Sequence, residues 1–189
     1  MITYESQGNR VEIYFAGELW RTVSERVWGK KPHLHVESLE ELERIERERA
    51  LQFCVSSLSK KAQHSRELQR KLKDLGLSFD AAEYALGRLK EMGYLDDEDF
   101  VERFVEARKI GLSKRALKQK LQLKGVPVDA IDEALEGHSE REAALKFLQK
   151  QKAPTSPEER AKLIRKLLSR GFSWSIVQES LAEIEDPSL

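Results

Sequence analysis

An internal repeat constrains this chain more than any other feature. Sliding the sequence along itself by 49 residues sets Leu68, Leu72, Gly76, Leu77, Asp80 and Leu86 on Leu117, Leu121, Gly125, Val126, Asp129 and Leu135. A further shift of 46 brings Leu163, Leu167, Gly171, Phe172, Val177 and Leu181 onto the same template. Leucines four apart share one face of a helix. The glycine that follows can end that helix in the left-handed conformation, and the apolar residue after it can fold back on the helix end. Another helical stretch precedes each pair, at about 45–58, 97–109 and 140–150. The chain thus reads as three tandem three-helix repeats, at 38–92, 93–138 and 139–189. Units this small bury little alone, so neighbours are expected to stack, share apolar faces and form an elongated, curved array.

Residues 1–36 read differently. Ile2-Thr3-Tyr4, Val11-Glu12-Ile13-Tyr14-Phe15 and Leu19-Trp20-Arg21-Thr22-Val23 are β-branched and aromatic runs separated by Ser6-Gln7-Gly8-Asn9 and Ala16-Gly17. Gly29-Lys30-Lys31-Pro32 marks a further loop. The expectation is a small antiparallel β appendage of two or three strands, stable only when packed on something else. Ser38 with Glu41 then forms a capping box that opens a long helix through about Leu58. The fold class is mainly α.

Net charge is misleading in this chain. Lys plus Arg number 33 and Asp plus Glu number 33, so the sum is zero. The charges are nevertheless segregated. Stretch 59–73 holds Lys60, Lys61, Arg66, Arg70, Lys71 and Lys73 against Glu67, a net of +5. Stretch 108–124 holds Arg108, Lys109, Lys114, Arg115, Lys118, Lys120 and Lys124 with no acid, a net of +7. Stretch 160–170 holds Arg160, Lys162, Arg165, Lys166 and Arg170, a net of +5. Stretches 91–106 and 129–142 carry −6 and −5. Each basic block surrounds the middle helix of a repeat, so stacked repeats could align them as one basic stripe. Such a stripe is a footprint for a phosphate backbone, and acidic faces suit a basic protein surface. The alternative is that these faces keep a repeat protein solvated and pair with one another.

Sites for catalysis are not evident. Phosphate-binding loop, dinucleotide fingerprint, zinc-protease helix and nucleophile elbow are all lacking. Cys54 lies on an apolar stripe with Leu51, Val55 and Leu58 and reads as core. A single cysteine excludes an internal disulfide and a cysteine-based zinc finger. His33 and His35 are two apart without a nearby acidic or cysteine partner. Asp96, Asp97 and Asp99 could be read as a Mg²⁺ site of a nuclease, but acids at a helix start are favoured by its dipole. Trp20 and Trp28 are expected to anchor the β appendage, and Trp174 to sit in a seam between repeats. No metal and no cofactor are expected. No apolar run approaches the ~18 residues of a membrane span, and MITYESQGNR lacks the layout of a signal peptide. A soluble, cytoplasmic monomer is the expectation.

The middle repeat carries Gly93-Tyr94-Leu95-Asp96-Asp97, then Phe100, Phe104-Val105 and Arg108, then Gly111, Leu117, Leu121 and Lys124-Gly125-Val126. This resembles the RecX family of bacterial RecA regulators, whose central repeat has the GYLDD start, the FV-x-x-R helix and the K/R-G-V end. Leu58-Ser59, Ser65-Arg66-Glu67-Leu68 and Lys71-Leu72 are similar to the family's opening repeat. Lys166-Leu167, Arg170-Gly171-Phe172 and Val177 match the closing one more loosely. The resemblance covers about 50–184, and it implies regulation without catalysis. Family members bind RecA and its filament on single-stranded DNA, and they suppress ATP hydrolysis and strand exchange. That places them in recombination, DNA repair and the SOS response. Several also bind DNA directly. No catalytic residue is carried over. The β appendage departs from the minimal family pattern, and its role stays open.

The candidate DNA- or filament-binding residues are therefore Lys60, Lys61, Arg66, Arg70, Lys71, Arg108, Lys109, Lys114, Arg115, Lys118, Lys120, Lys124, Arg165 and Lys166. The alternative function is a stand-alone helical-repeat DNA-binding module.

Overall fold

The computed structural model describes residues 2–29 and 36–185. His33, His35 and the Lys30–Pro32 part of the expected loop lie outside the described residues. Three strands come first: β1 (Ile2–Gln7), β2 (Arg10–Phe15) and β3 (Glu18–Ser24), followed by the single-turn α1 (Glu25–Trp28). The helices α2 (Leu39–Leu58), α3 (Ser65–Asp74) and α4 (Phe79–Glu91) form the first repeat. The second is α5 (Asp97–Glu106), α6 (Lys114–Leu123) and α7 (Val128–Ala134), and the third is α8 (Glu140–Gln149), α9 (Pro157–Ser169) and α10 (Trp174–Glu185). The chain divides into two compact units, Met1–Asp97 and Glu98–Leu189.

In the first unit the strands pair antiparallel in the order β1-β2-β3, with Ile2 opposite Phe15 and Val11 opposite Val23. Val11, Ile13 and Val23 alternate inward and are buried together with Leu42, Ala50, Cys54, Leu68, Leu72 and Leu89. Sheet and first repeat share one core, which is what three short strands need in order to persist. Trp28 is buried and packs 5.9 Å from Trp20, with the Arg49 guanidinium 4.9 Å from its ring centre. Cys54 is fully enclosed, and burial pushes its thiol up to about 12, so it remains a protonated core side chain. Ser38 caps α2 as expected, its Oγ accepting from the Glu41 amide at 3.2 Å, while the Glu41 carboxylate accepts at 3.2 Å from the Glu37 amide, one residue before the N-cap.

The recurring glycine does what its position in the repeat requires. Gly76 has φ +84°, and its amide donates to Lys73 O while the Leu77 amide donates to Leu72 O. The same pair of bonds recurs at Gly125-Val126 and at Gly171-Phe172, the Schellman closure of a helix end. Gly76 carries a second duty. A Cβ there would lie 2.2 Å from Thr22 O, and the Ser24 amide donates to Leu75 O at 2.8 Å. The α3–α4 turn thus presses directly against the outer edge of β3.

The second unit corrects one expectation. Its two repeats do not merge their apolar faces: Phe100, Phe104, Leu117, Leu121 and Ile131 form one cluster, and Ala144, Phe147, Leu167, Val177 and Leu181 form another. The joint between them is backbone and polar. Gly111 N–H donates to Ala143 O and Ser113 N–H to Arg170 O, each at 3.2 Å. The Arg170 guanidinium donates back to Gly111 O and lies 4.2 Å from the Phe147 ring centre. Arg170, counted above with the basic block, is a structural residue of this joint. Trp174 is not in a seam; it is 57% exposed.

Candidate functional site

Helix α3 rises four residues per turn-and-a-bit, so Arg66, Arg70 and Lys73 lie along one side and Glu67 and Lys71 along the next. The structure uses these two sides differently. On one, the buried Glu67 carboxylate lies 3.4 Å from Lys61 Nζ and 3.0 Å from Lys71 Nζ, and Lys71 also donates to Gln63. Lys61 and Lys71 are thereby committed to their own chain, while Lys60 is exposed. On the other side, Arg66, Arg70 and Lys73 line an open groove of about 660 Å³ together with Arg21 of β3 and Phe79 at the start of α4. The five candidate cations of this stretch therefore do not act as one face.

A buried carboxylate supports that groove. Glu46 of α2 accepts from the Ser78 amide at 2.8 Å and from Ser78 Oγ at 2.7 Å, and its Oε1 lies 3.0 Å from Arg21 Nε. The Arg21 N–H is misaligned for a hydrogen bond, so that contact is an ion pair. Glu46 ties helix α2, the N-terminus of α4 and strand β3 together.

The GYLDD segment is largely a structural joint. Gly93 closes α4 with its amide on Lys90 O, and the Tyr94 amide donates to Leu89 O. Leu95 is buried, whereas Tyr94 is 68% exposed. Asp97 reaches back to α3, where its Oδ1 accepts from the Ser65 amide at 2.6 Å, and Lys90 Nζ stands 3.3 Å from its Oδ2. Asp99 pairs with Arg103 at 2.7 Å, Asp97 is turned to Ser65 and Lys90, and among the described residues no group of three acidic, histidine or cysteine side chains is placed to hold a metal ion. Burial opposes ionisation of Asp97, but the Ser65 hydrogen bonds, His64 and Lys90 outweigh it and hold the carboxyl below its usual range.

His64 completes this joint as the N-cap of α3, its Nδ1 accepting from the Arg66 amide at 3.2 Å. Burial lowers the imidazole from its usual 6.5, with Asp97 pulling the other way. The neutral ring is the acceptor. Its contribution is therefore complete above pH 6.5 and lost as pH falls through the lowered folded value. A His64→Asn variant keeps a cap oxygen that does not titrate. Between about pH 7 and 5 its melting temperature should fall less than the parent's. Parallel slopes in the two proteins would remove His64 from this role.

In the second unit Phe100 and Phe104 of the motif are buried in the repeat's own core, their ring centres 6.0 Å apart. The Arg108 guanidinium lies 4.1 Å from the Phe104 ring centre, and Lys124 Nζ stands 5.9 Å from both rings. Lys109 pairs with Glu106 at 2.5 Å, Lys118 with Asp132 at 2.7 Å, and Lys166 donates to Gln151 at 3.2 Å. Lys114, Arg115, Lys120 and Arg165 are exposed, and their side chains enter no hydrogen bond or ion pair among the described residues. Arg21 and Phe79 escaped the charge count because one lies in a strand and the other is aromatic, and Lys73 was counted in its block but not among the candidate binding residues. The spacing of Arg66, Arg70 and Lys73 was the signal that could have found one side of the groove.

No helix among the described residues is long and apolar enough to cross a membrane. The sequence model described as "RecX, second three-helix domain" matches residues 96–135, and "RecX, third three-helix domain" matches residues 140–181. A regulatory protein RecX of Thermus thermophilus is 34% identical over 137 residues, which are 69% of this chain and 93% of the relative. Those of Chlorobaculum tepidum and Mycolicibacterium smegmatis are each 32% identical, over 70% and 72% of this chain and 86% and 79% of the relatives. Two solved structures share the fold. A regulatory protein RecX has a TM-score of 0.55 at 21% identity over 96% of this chain and 98% of its own. RecX from Lactobacillus salivarius has 0.57 at 18% over 74% and 97%.

Proposed function

This chain belongs to the RecX family, and on that premise we propose that it is a non-catalytic, negative regulator of the RecA recombinase. It acts in the cytoplasm as a monomer, binds RecA and the RecA filament on single-stranded DNA, and limits ATP hydrolysis and strand exchange in recombination and repair. The carrying observation is the middle repeat. Its GYLDD and FV-x-x-R residues form a Schellman turn, a joint to α3 and a phenylalanine core, which leaves Tyr94 and the basic side of α6 turned to solvent.

Titrating the protein into RecA on single-stranded DNA is expected to slow ATP hydrolysis progressively up to equimolar amounts. An unchanged rate at equimolar protein would defeat this reading. The exposed Lys114, Arg115 and Lys120 favour the second reading, a helical-repeat DNA-binding module. A Lys114→Glu, Lys120→Glu protein separates the two. If it still binds DNA but no longer slows RecA, that side of α6 meets protein; if DNA binding collapses and becomes less salt-dependent, it meets phosphate.

A further inference from the structure

The groove between β3 and the α3–α4 pair has four cationic side chains, Arg21, Arg66, Arg70 and Lys73, and no acidic residue among the described residues that line it. Glu46 answers Arg21 from below, which leaves Arg66 and Lys73 of α3 as the exposed cations that the groove offers to a ligand. Leu77 and Ala82 give an apolar floor. At the rim stands Phe79, 72% exposed although it is the first residue of α4. A phenylalanine held in the open on a rigid helix start contributes little to folding. Its ring face is available to stack.

The outer edge of β3 is already met by the α3–α4 turn, through Ser24 N–H to Leu75 O and the close approach of Gly76 to Thr22 O. An extended peptide therefore cannot add to the sheet at that point, which leaves side-chain recognition. Guanidinium groups take phosphate oxygens bidentately, and an aromatic ring beside a basic groove is the arrangement by which proteins hold single strands without reading their sequence. The geometry points to a single-stranded DNA site in this groove, with backbone phosphates on Arg21, Arg66, Arg70 and Lys73 and one base stacked on Phe79.

The site gives the β appendage a function, since Arg21 is its contribution and Glu46 holds that residue in place. It deepens the regulatory role proposed above and rests on it for its purpose. Binding to naked DNA is nevertheless measured without RecA, so either can fail alone.

The experiment is fluorescence anisotropy of a labelled oligothymidylate with the full chain across a salt series. Phe79→Ala is expected to weaken binding by about 5- to 150-fold, the worth of one base stacked on an aromatic ring, while Phe79→Trp retains it. Arg66→Glu with Lys73→Glu should lower the slope of log affinity against log salt by roughly 1.4, two phosphate contacts on a single strand. Lys150→Glu with Lys152→Glu makes the same charge change on the third repeat and should leave affinity unchanged. All four positions and Phe79 are exposed, and thermal melts check that the variants fold. Equal losses from the Lys150 and Lys152 pair, an unaffected Phe79→Ala protein, or loss on Phe79→Trp would each overturn the site. So would a poly-glutamate peptide that displaces the oligonucleotide at equal concentration, because the groove would then recognise an acidic chain.

Discussion

Gly76→Ala is expected to lower the melting temperature of the first unit by about 12 °C or more. The residue sits at φ +84°, where an alanine methyl costs roughly 1–2 kcal/mol against the following carbonyl. The new Cβ would also lie 2.2 Å from Thr22 O and 3.1 Å from Val23 Cα. These are backbone atoms of β3, which cannot swing aside as a side chain can. Forcing them apart adds about 1–3 kcal/mol of overpacking. A total near 3 kcal/mol is a large share of the stability of a unit this size, and each kcal/mol shifts such a midpoint by about 4–8 °C. Gly93→Ala is the control. It has φ +71° with nothing within 4 Å, so it carries the backbone term alone. Circular dichroism melts of the two variants measure the difference. Equal shifts would show that the sheet is not pressed against the α3–α4 turn.

Glu46→Ala is expected to cost about 3–5 kcal/mol, the typical result of removing one partner from a buried ion pair. Two donors lose their acceptor together, the Ser78 amide and the Ser78 hydroxyl, and the Arg21 guanidinium loses its ion-pair partner. The Glu46 side chain is only 2% exposed, so water does not replace it. Glu46→Gln keeps the shape and an acceptor oxygen but not the charge, and should fall between parent and alanine. Because Arg21 also stacks 4.7 Å from the Trp20 ring centre, near-ultraviolet circular dichroism should report loosening of the sheet. Denaturant midpoints of the two variants within about 0.5 kcal/mol of the parent would place the weld elsewhere.

Much of this architecture could be read from the residues. The repeat of Leu, Leu, Gly and an apolar residue specified three equivalent helix ends, and all three close by the same two hydrogen bonds. Local chemistry decides such features: a Schellman turn needs a residue that tolerates positive φ and an apolar residue just beyond it. The Ser38 cap of α2 was equally legible, because its bond to the Glu41 amide spans only four residues.

The candidate site was legible only in part. Counting charge by stretch placed Lys61, Lys71 and Lys118 with Arg66 and Lys114. In the folded chain Lys61 and Lys71 meet Glu67, and Lys118 meets Asp132 on the next helix. Arg170 looked like one more cation, but it closes the joint between the second and third repeats. Glu46 carries no signal in the sequence, since a helix pattern does not reveal which single carboxylate a strand and a neighbouring helix will cover.

The sequence by itself determined the helical repeat, the β character of the first residues, the helix ends and the family. These depend on periodicity and on contacts between residues a few positions apart, which the linear order contains. Only the tertiary structure decided that the sheet and the first repeat share one core, which cations are taken by the chain's own acids, and that Arg21, from a strand 45 residues before Arg66, lines one groove with it. Those outcomes depend on which surfaces meet, and a charge or an aromatic ring becomes buried, paired or available only when distant elements pack around it.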